Sequence, residues 1–104
     1  RAALPALSRA EGHIVNVAST AAVHGWPGLA AYSAAKFGVA GYSEAVRAEL
    51  HERRVGLTVV FPLLIDTPMI SRPGLPRILR EGKRIPASVL ASAGCRDARQ
   101  AEPA

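Results

Sequence analysis

Cysteine is almost missing from this sequence. Cys95 is the one instance, so no internal disulfide can form, and no His/Cys cluster has the spacing of a metal site. A disulfide scaffold and a structural zinc site are thereby excluded. Aromatic residues are scarce too, at 5%. The basic stretch from Arg72 to Arg84 is broken by Pro73 and Pro76 and holds no ring on which a base could stack. Nucleic acid is therefore not an expected partner. No apolar run approaches the roughly 20 residues that a membrane span needs, and no basic, apolar, small-residue leader pattern opens the sequence. A cytoplasmic chain without membrane contact is the expectation.

What is present points to a packed core. Of 104 residues, 49% are hydrophobic and 20% charged, too apolar for a disordered tail and enough for one domain at most. Thirteen Lys plus Arg against eight Asp plus Glu give a formal charge of +5. Residues 1–69 carry six basic and five acidic groups, while residues 70–104 carry seven and three, so four of the five net charges fall in the tail. The sequence opens on Arg1, and its first ten residues already read as the end of a helix. It is expected to be a piece of something longer.

Residues 1–11 are helix formers closed by Gly12, which tolerates positive φ. The block around Ile14, Val15 and Val17 is a β-branched strand, and residues 20–29, with Gly25, Pro27 and Gly28, read as a loop. From Ala30 to Arg54 there is no proline. Ala35, Val39, Tyr42, Val46 and Leu50 recur at helical period and predict one buried stripe. Gly38 and Gly41 each cost such a helix about 1 kcal/mol relative to alanine, which predicts a close backbone neighbour there. Leu57 to Phe61 is a second strand. Strand, long helix, strand is a parallel crossover, and neither strand alternates, so both are expected to be buried on two faces. One helix cannot cover both faces of two strands; the fold class is α/β, with this chain contributing part of a larger parallel sheet. Residues 1–70 hold that unit. Residues 71–104 are punctuated by Pro and Gly, with a short helix near Leu75 to Glu81 and a mobile end after Ile85.

Chemistry concentrates at three positions. Tyr32 and Lys36 are one helical turn apart, about 40° around the axis, which sets an ammonium beside a phenol and favours the phenolate. Taken alone, such a pair is ordinarily a surface neighbour pair. Ser19 ends the first strand, and ligands bind at the carboxyl ends of parallel strands. Its hydroxyl can donate to a developing oxyanion, although a serine there also serves as a cap.

With GHIVNVAS at 12–19, GWPGLAAYSAAKFGVAGYSEAVRAEL at 25–50 and FPLLIDTPM at 61–69, the chain resembles the short-chain dehydrogenase/reductases over roughly residues 4–70. The serine, Tyr-x-x-x-Lys and Pro-x-x-Ile-x-Thr, in this order and spacing, carry the resemblance. It implies the C-terminal half of a Rossmann-like, doubly wound parallel sheet and an NAD- or NADP-dependent oxidoreductase interconverting a carbonyl and an alcohol on a small molecule. Tyr32 would be the general acid and base, Ser19 would orient the substrate oxygen, and Lys36 would hold the nicotinamide ribose. Pro62, Leu63, Ile65 and Thr67 would line the nicotinamide. His24 and Trp26 would stand in the substrate wall, and Met69 to Pro86 would form a substrate-covering lid. No metal is implied.

The family usually has glycine where Leu63 stands, which predicts strain or crowding there. The glycine-rich phosphate-binding turn is not in these residues, so this chain by itself is expected to be inactive. A truncated, non-catalytic relative keeping a structural or dimerisation role is the alternative reading, and an epimerase or dehydratase with the same Tyr/Lys pair is a third. The long helix, with Ala34, Gly38 and Gly41, is the candidate surface for pairing with a second copy. His13 and His51 read as solvated, Asp66 as a loop residue and Cys95 as a bystander.

Overall fold

A computed structural model describes residues 1–89 of the chain. The expected mobile tail from residue 90 onward, including Cys95, lies outside the described residues. Helix α1 (Leu4–Arg9) leads into strand β1 (His13–Val17), a 3-10 turn (Thr20–Ala22) and the long helix α2 (Ala30–Leu50). A 3-10 turn (His51–Arg53) then precedes strand β2 (Gly56–Val60). β1 and β2 pair in parallel, with His13 opposite Gly56 and Val17 opposite Val60. The strand, helix, strand crossover is thus present as read, a partial α/β fold.

The termination of α1 differs from expectation. Glu11, not Gly12, takes the left-handed conformation, at φ 47°. Its N–H donates to the Ser8 carbonyl at 3.4 Å, and the Gly12 N–H donates to the Leu7 carbonyl at 2.8 Å, which closes the helix as a Schellman motif. A Cβ at position 12 would lie 2.7 Å from Leu7 Cδ2, the end of a flexible side chain that would have to shift. Glu11 also meets Arg54 at 3.0 Å. Both side chains are largely exposed, so the pair contributes little.

The core sits at the amino ends of the strands. Leu50, Val55 and Leu57 are buried together, with Leu4, Leu7, Ile14, Val46 and Val59 packed around them. The strands themselves are mostly half-buried, not covered on both faces, because among the described residues only part of their surface meets helix. His13, expected in solvent, is half-buried and shares a 2.8 Å hydrogen bond with Thr58.

The buried stripe of α2 is rotated from the predicted one. Val39, Val46 and Leu50 face inward as expected, but Tyr42 is 65% exposed and Ser43 is fully buried in its place. Ser43 Oγ donates to the Val39 carbonyl at 2.6 Å and accepts from Asn16 Nδ2 at 2.8 Å. A small side chain with a satisfied hydroxyl is thus buried without penalty and ties α2 to Asn16 of β1. The close neighbour predicted at Gly38 and Gly41 is not found: a Cβ at either would meet open space. Among the described residues no helix is long and apolar enough to cross a membrane.

Beyond β2 the chain keeps more order than its composition suggests. Strand β3 (Ile65–Asp66), a 3-10 turn (Pro68–Ser71), helix α3 (Arg77–Glu81) and strand β4 (Ile85–Pro86) follow. β4 returns to pair in parallel with β3. The Ile85 N–H donates to the Leu64 carbonyl at 2.7 Å, and Arg84 Nη1 meets Asp66 Oδ1 at 3.1 Å.

In the protein that carries this segment, Ser43→Ala removes the acceptor of Asn16 and is expected to cost about 1–2 kcal/mol in urea unfolding. Asn16→Ala combined with Ser43→Ala should cost less than the sum of the single changes, because both break one bond. Additive costs would show that the two side chains act separately.

Candidate active site

Pairing does not stop where the strands do. The Ala18 N–H donates to the Val60 carbonyl at 2.8 Å and the Thr20 N–H to the Pro62 carbonyl at 3.0 Å. Ser19 is therefore held in extended backbone directly beside the segment that follows β2. Its side chain is buried, and Oγ accepts from the Ala21 N–H at 3.1 Å, capping the 3-10 turn. The capping and the chemical readings of Ser19 are compatible: accepting through a lone pair leaves the hydroxyl hydrogen to donate elsewhere.

The loop after this turn fixes where α2 begins. The Trp26 N–H reaches Ser33 Oγ at 3.4 Å, and the Leu29 N–H donates to the Trp26 carbonyl at 3.0 Å. The first turn of α2 consequently presents Tyr32, and Lys36 follows one turn later. Lys36 Nζ donates to the Val17 carbonyl at 3.2 Å and lies 5.7 Å from the centroid of the Tyr32 ring. An ammonium has three donors, so this bond leaves capacity for a ligand.

Two cavities adjoin at this point. One, of about 180 Å³, is lined by Ser19, Tyr32, Lys36, Pro62, Leu63, Ile65 and Thr67, among others. All of the residues expected to be catalytic or to line the nicotinamide border this one space. The other, of about 220 Å³, also touches Ser19 and Tyr32 but is otherwise walled by Trp26, Leu29, Leu64, Leu75 and Leu79. Leu63, Met69 and Ile70 border both.

Leu63 is not strained: the only described non-glycine residues with positive φ are Glu11 and Arg54. Its side chain is half-exposed and stands between the two cavities. Of the two loop aromatics considered for the wall, Trp26 lines the larger cavity and His24 does not; the His24 ring instead meets Trp26 edge-on at 6.2 Å between centroids. Asp66, expected in a loop, ends strand β3 and is paired with Arg84. The sequence reading did not single out Arg72, Leu75 or Leu79, which also line the larger cavity. The only signal for them was the mixture of Leu and Arg in a Pro-rich segment. Among the described residues no group of three or more His, Cys, Asp or Glu could hold a metal ion.

A family model described as short chain dehydrogenase matches residues 1–74. The chain is 40% identical over 74 residues to a 3-oxoacyl-[acyl-carrier-protein] reductase of Synechocystis, covering 71% of this chain and 30% of that protein. It is 38% identical over 66 residues to a 3-ketodihydrosphingosine reductase of Dictyostelium discoideum, covering 64% of this chain and 20% of the relative. A crystal structure of a short chain dehydrogenase from Burkholderia cenocepacia in complex with NADP superposes with a TM-score of 0.78 at 32% identity, covering 95% of this chain and 39% of that one. The chain thus spans less than half the length of each of these proteins.

Trp26 is the single tryptophan of the chain and lines the larger cavity. An apolar ligand that enters there is expected to change its emission saturably. Leu79→Trp, which enlarges another lining side chain, should weaken that ligand at least about tenfold by overpacking. Titration of the variant in a Trp26→Phe background, followed by calorimetry, checks this; unchanged affinity would place the ligand elsewhere.

Proposed function

The chain belongs to the short-chain dehydrogenase family, and on that premise we propose that it supplies the catalytic residues of an NAD- or NADP-dependent oxidoreductase that interconverts a carbonyl and an alcohol. The observation that carries this reading is that Ser19, Tyr32, Lys36 and the 62–67 segment border one cavity, with Lys36 Nζ 5.7 Å from the Tyr32 ring.

The residues around the smaller cavity fit a nicotinamide nucleotide. Apolar groups from Pro62 to Ile65 offer a surface to a flat ring, and Lys36 and Thr67 offer hydrogen bonds to its polar edge and ribose. The bound cofactor supplies or accepts the hydride. Ser19 donates its hydroxyl hydrogen to the substrate oxygen and holds it toward Tyr32. In reduction the Tyr32 hydroxyl gives its proton to that oxygen as negative charge develops; in oxidation the Tyr32 oxygen takes the proton from the alcohol. The Lys36 ammonium, fixed by the Val17 carbonyl, stabilises negative charge on Tyr32 through space. Leu63, Met69 and Ile70 keep water from the boundary between the cavities. The segment from Met69 to Pro86 covers the substrate side.

The exposed face of α2 bearing Phe37, Gly38 and Gly41 is the surface on which we place a second copy of the chain. A protein that pairs in this way but turns nothing over would fit the non-catalytic reading.

In the full protein that carries this segment, Tyr32→Phe is expected to lower kcat by about 100-fold or more with little change in KM, read from nicotinamide absorbance with both NADH and NADPH. Lys36→Met should also raise the KM for the cofactor. Equal turnover by Tyr32→Phe and the parent would refute the assignment.

A further inference from the structure

The larger cavity carries one charged residue among its described lining. Ser19 and Tyr32 border it, apolar side chains wall it, and Arg72 borders it too. No carboxylate lines it. Two other cations of this segment have carboxylate partners: Arg77 holds Glu81 at 2.7 Å, and Arg84 holds Asp66 at 3.1 Å. The Arg72 side chain makes no hydrogen bond or ion pair among the described residues.

Its placement is preset by the backbone. Arg72 closes the 3-10 turn through an N–H bond to the Met69 carbonyl at 3.4 Å and lies at φ −67° and ψ 140°. Pro73 follows and disfavours the helical alternative. The side chain is exposed, so the guanidinium stays hydrated while the cavity is empty, and no burial penalty opposes an unpaired charge there.

From this we infer that the substrate is a small apolar ketone or alcohol bearing a carboxylate, with the carboxylate held by Arg72 at the mouth and the reacting oxygen delivered to Ser19 and Tyr32. The inference rests on the oxidoreductase reading above and names its substrate class. A planar guanidinium pairs with a carboxylate through two parallel hydrogen bonds, which fixes orientation as well as affinity. The apolar space is large enough for the apolar part: about 220 Å³ compares with roughly 150 Å³ for a cavity that takes up benzene, so one ring or a short chain fits.

The test uses the full protein with its preferred nicotinamide nucleotide and a series of straight-chain methyl-keto acids together with 4-acetylbenzoate, each paired with its methyl ester. The acid is expected to exceed its ester in kcat/KM by about tenfold or more. Arg72→Gln should collapse that ratio toward one through KM, and Arg72→Lys should restore part of it. Binding is followed in parallel by calorimetry. Reduction of acids and esters with the same ratio in the parent and Arg72→Gln would overturn the inference while leaving the oxidoreductase reading intact. Arg72-dependent binding of the acids without reduction would support the anion site and count against the reaction. Binding of neither acid nor ester overturns the inference.

Discussion

The arrangement depends on the parallel pairing of β1 with β2 and on its continuation past the end of both strands. Two backbone bonds, from Ala18 to Val60 and from Thr20 to Pro62, extend the ladder into residues that are no longer strand. Without them Ser19 and the Pro62–Thr67 segment would be two independent loops. With them, the only remaining degree of freedom is where α2 starts, and the turn that ends at Leu29 fixes it. Tyr32 and Lys36 reach the same space because a helix crossing between two parallel strands must begin above their carboxyl ends.

The two ends of this unit are built from different materials. At the amino ends of the strands, leucines and valines from α1, α2 and both strands make the core. At the carboxyl ends the buried residues include Ala18, Ser19, Ala21, Ala22 and Ser33. Small side chains let backbones approach and leave room that larger ones would fill. Stability and chemistry are thus kept apart along the strand direction, and a site residue can change without opening a hole in the core.

Most of the frame was legible from the residues. β-branched blocks bounded by Gly12 and Gly56, and a proline-free stretch between them, are local signals that tertiary structure did not override. Strand-end and helical-turn geometry alone left Ser19, Tyr32 and Lys36 with ordinary structural readings; their joint order and spacing, through the family resemblance, singled them out. What failed was finer. Hydropathy placed Tyr42 inside and ignored Ser43, yet Ser43 is buried because Asn16 and the Val39 carbonyl satisfy its hydroxyl. Glu11 takes the left-handed turn that Gly12 was expected to take, because the two bonds that close α1, from Glu11 to Ser8 and from Gly12 to Leu7, put the reversal one residue earlier. Arg72, Leu75 and Leu79 could not be assigned to a cavity, because their positions depend on β4 folding back, and a two-residue strand has no periodicity to read.

That return has a consequence for how such a protein can diversify. The chain leaves at Ile65 and comes back at Ile85 to the adjacent position, so everything between is an excursion whose entrance and exit touch. Lengthening a loop of this kind is cheap, roughly 0.6 kcal/mol for each doubling. The stem of Leu64, Asp66, Arg84 and Ile85 works as a socket: one cavity-covering insert can be exchanged for another while Ser19, Tyr32 and Lys36 keep their places.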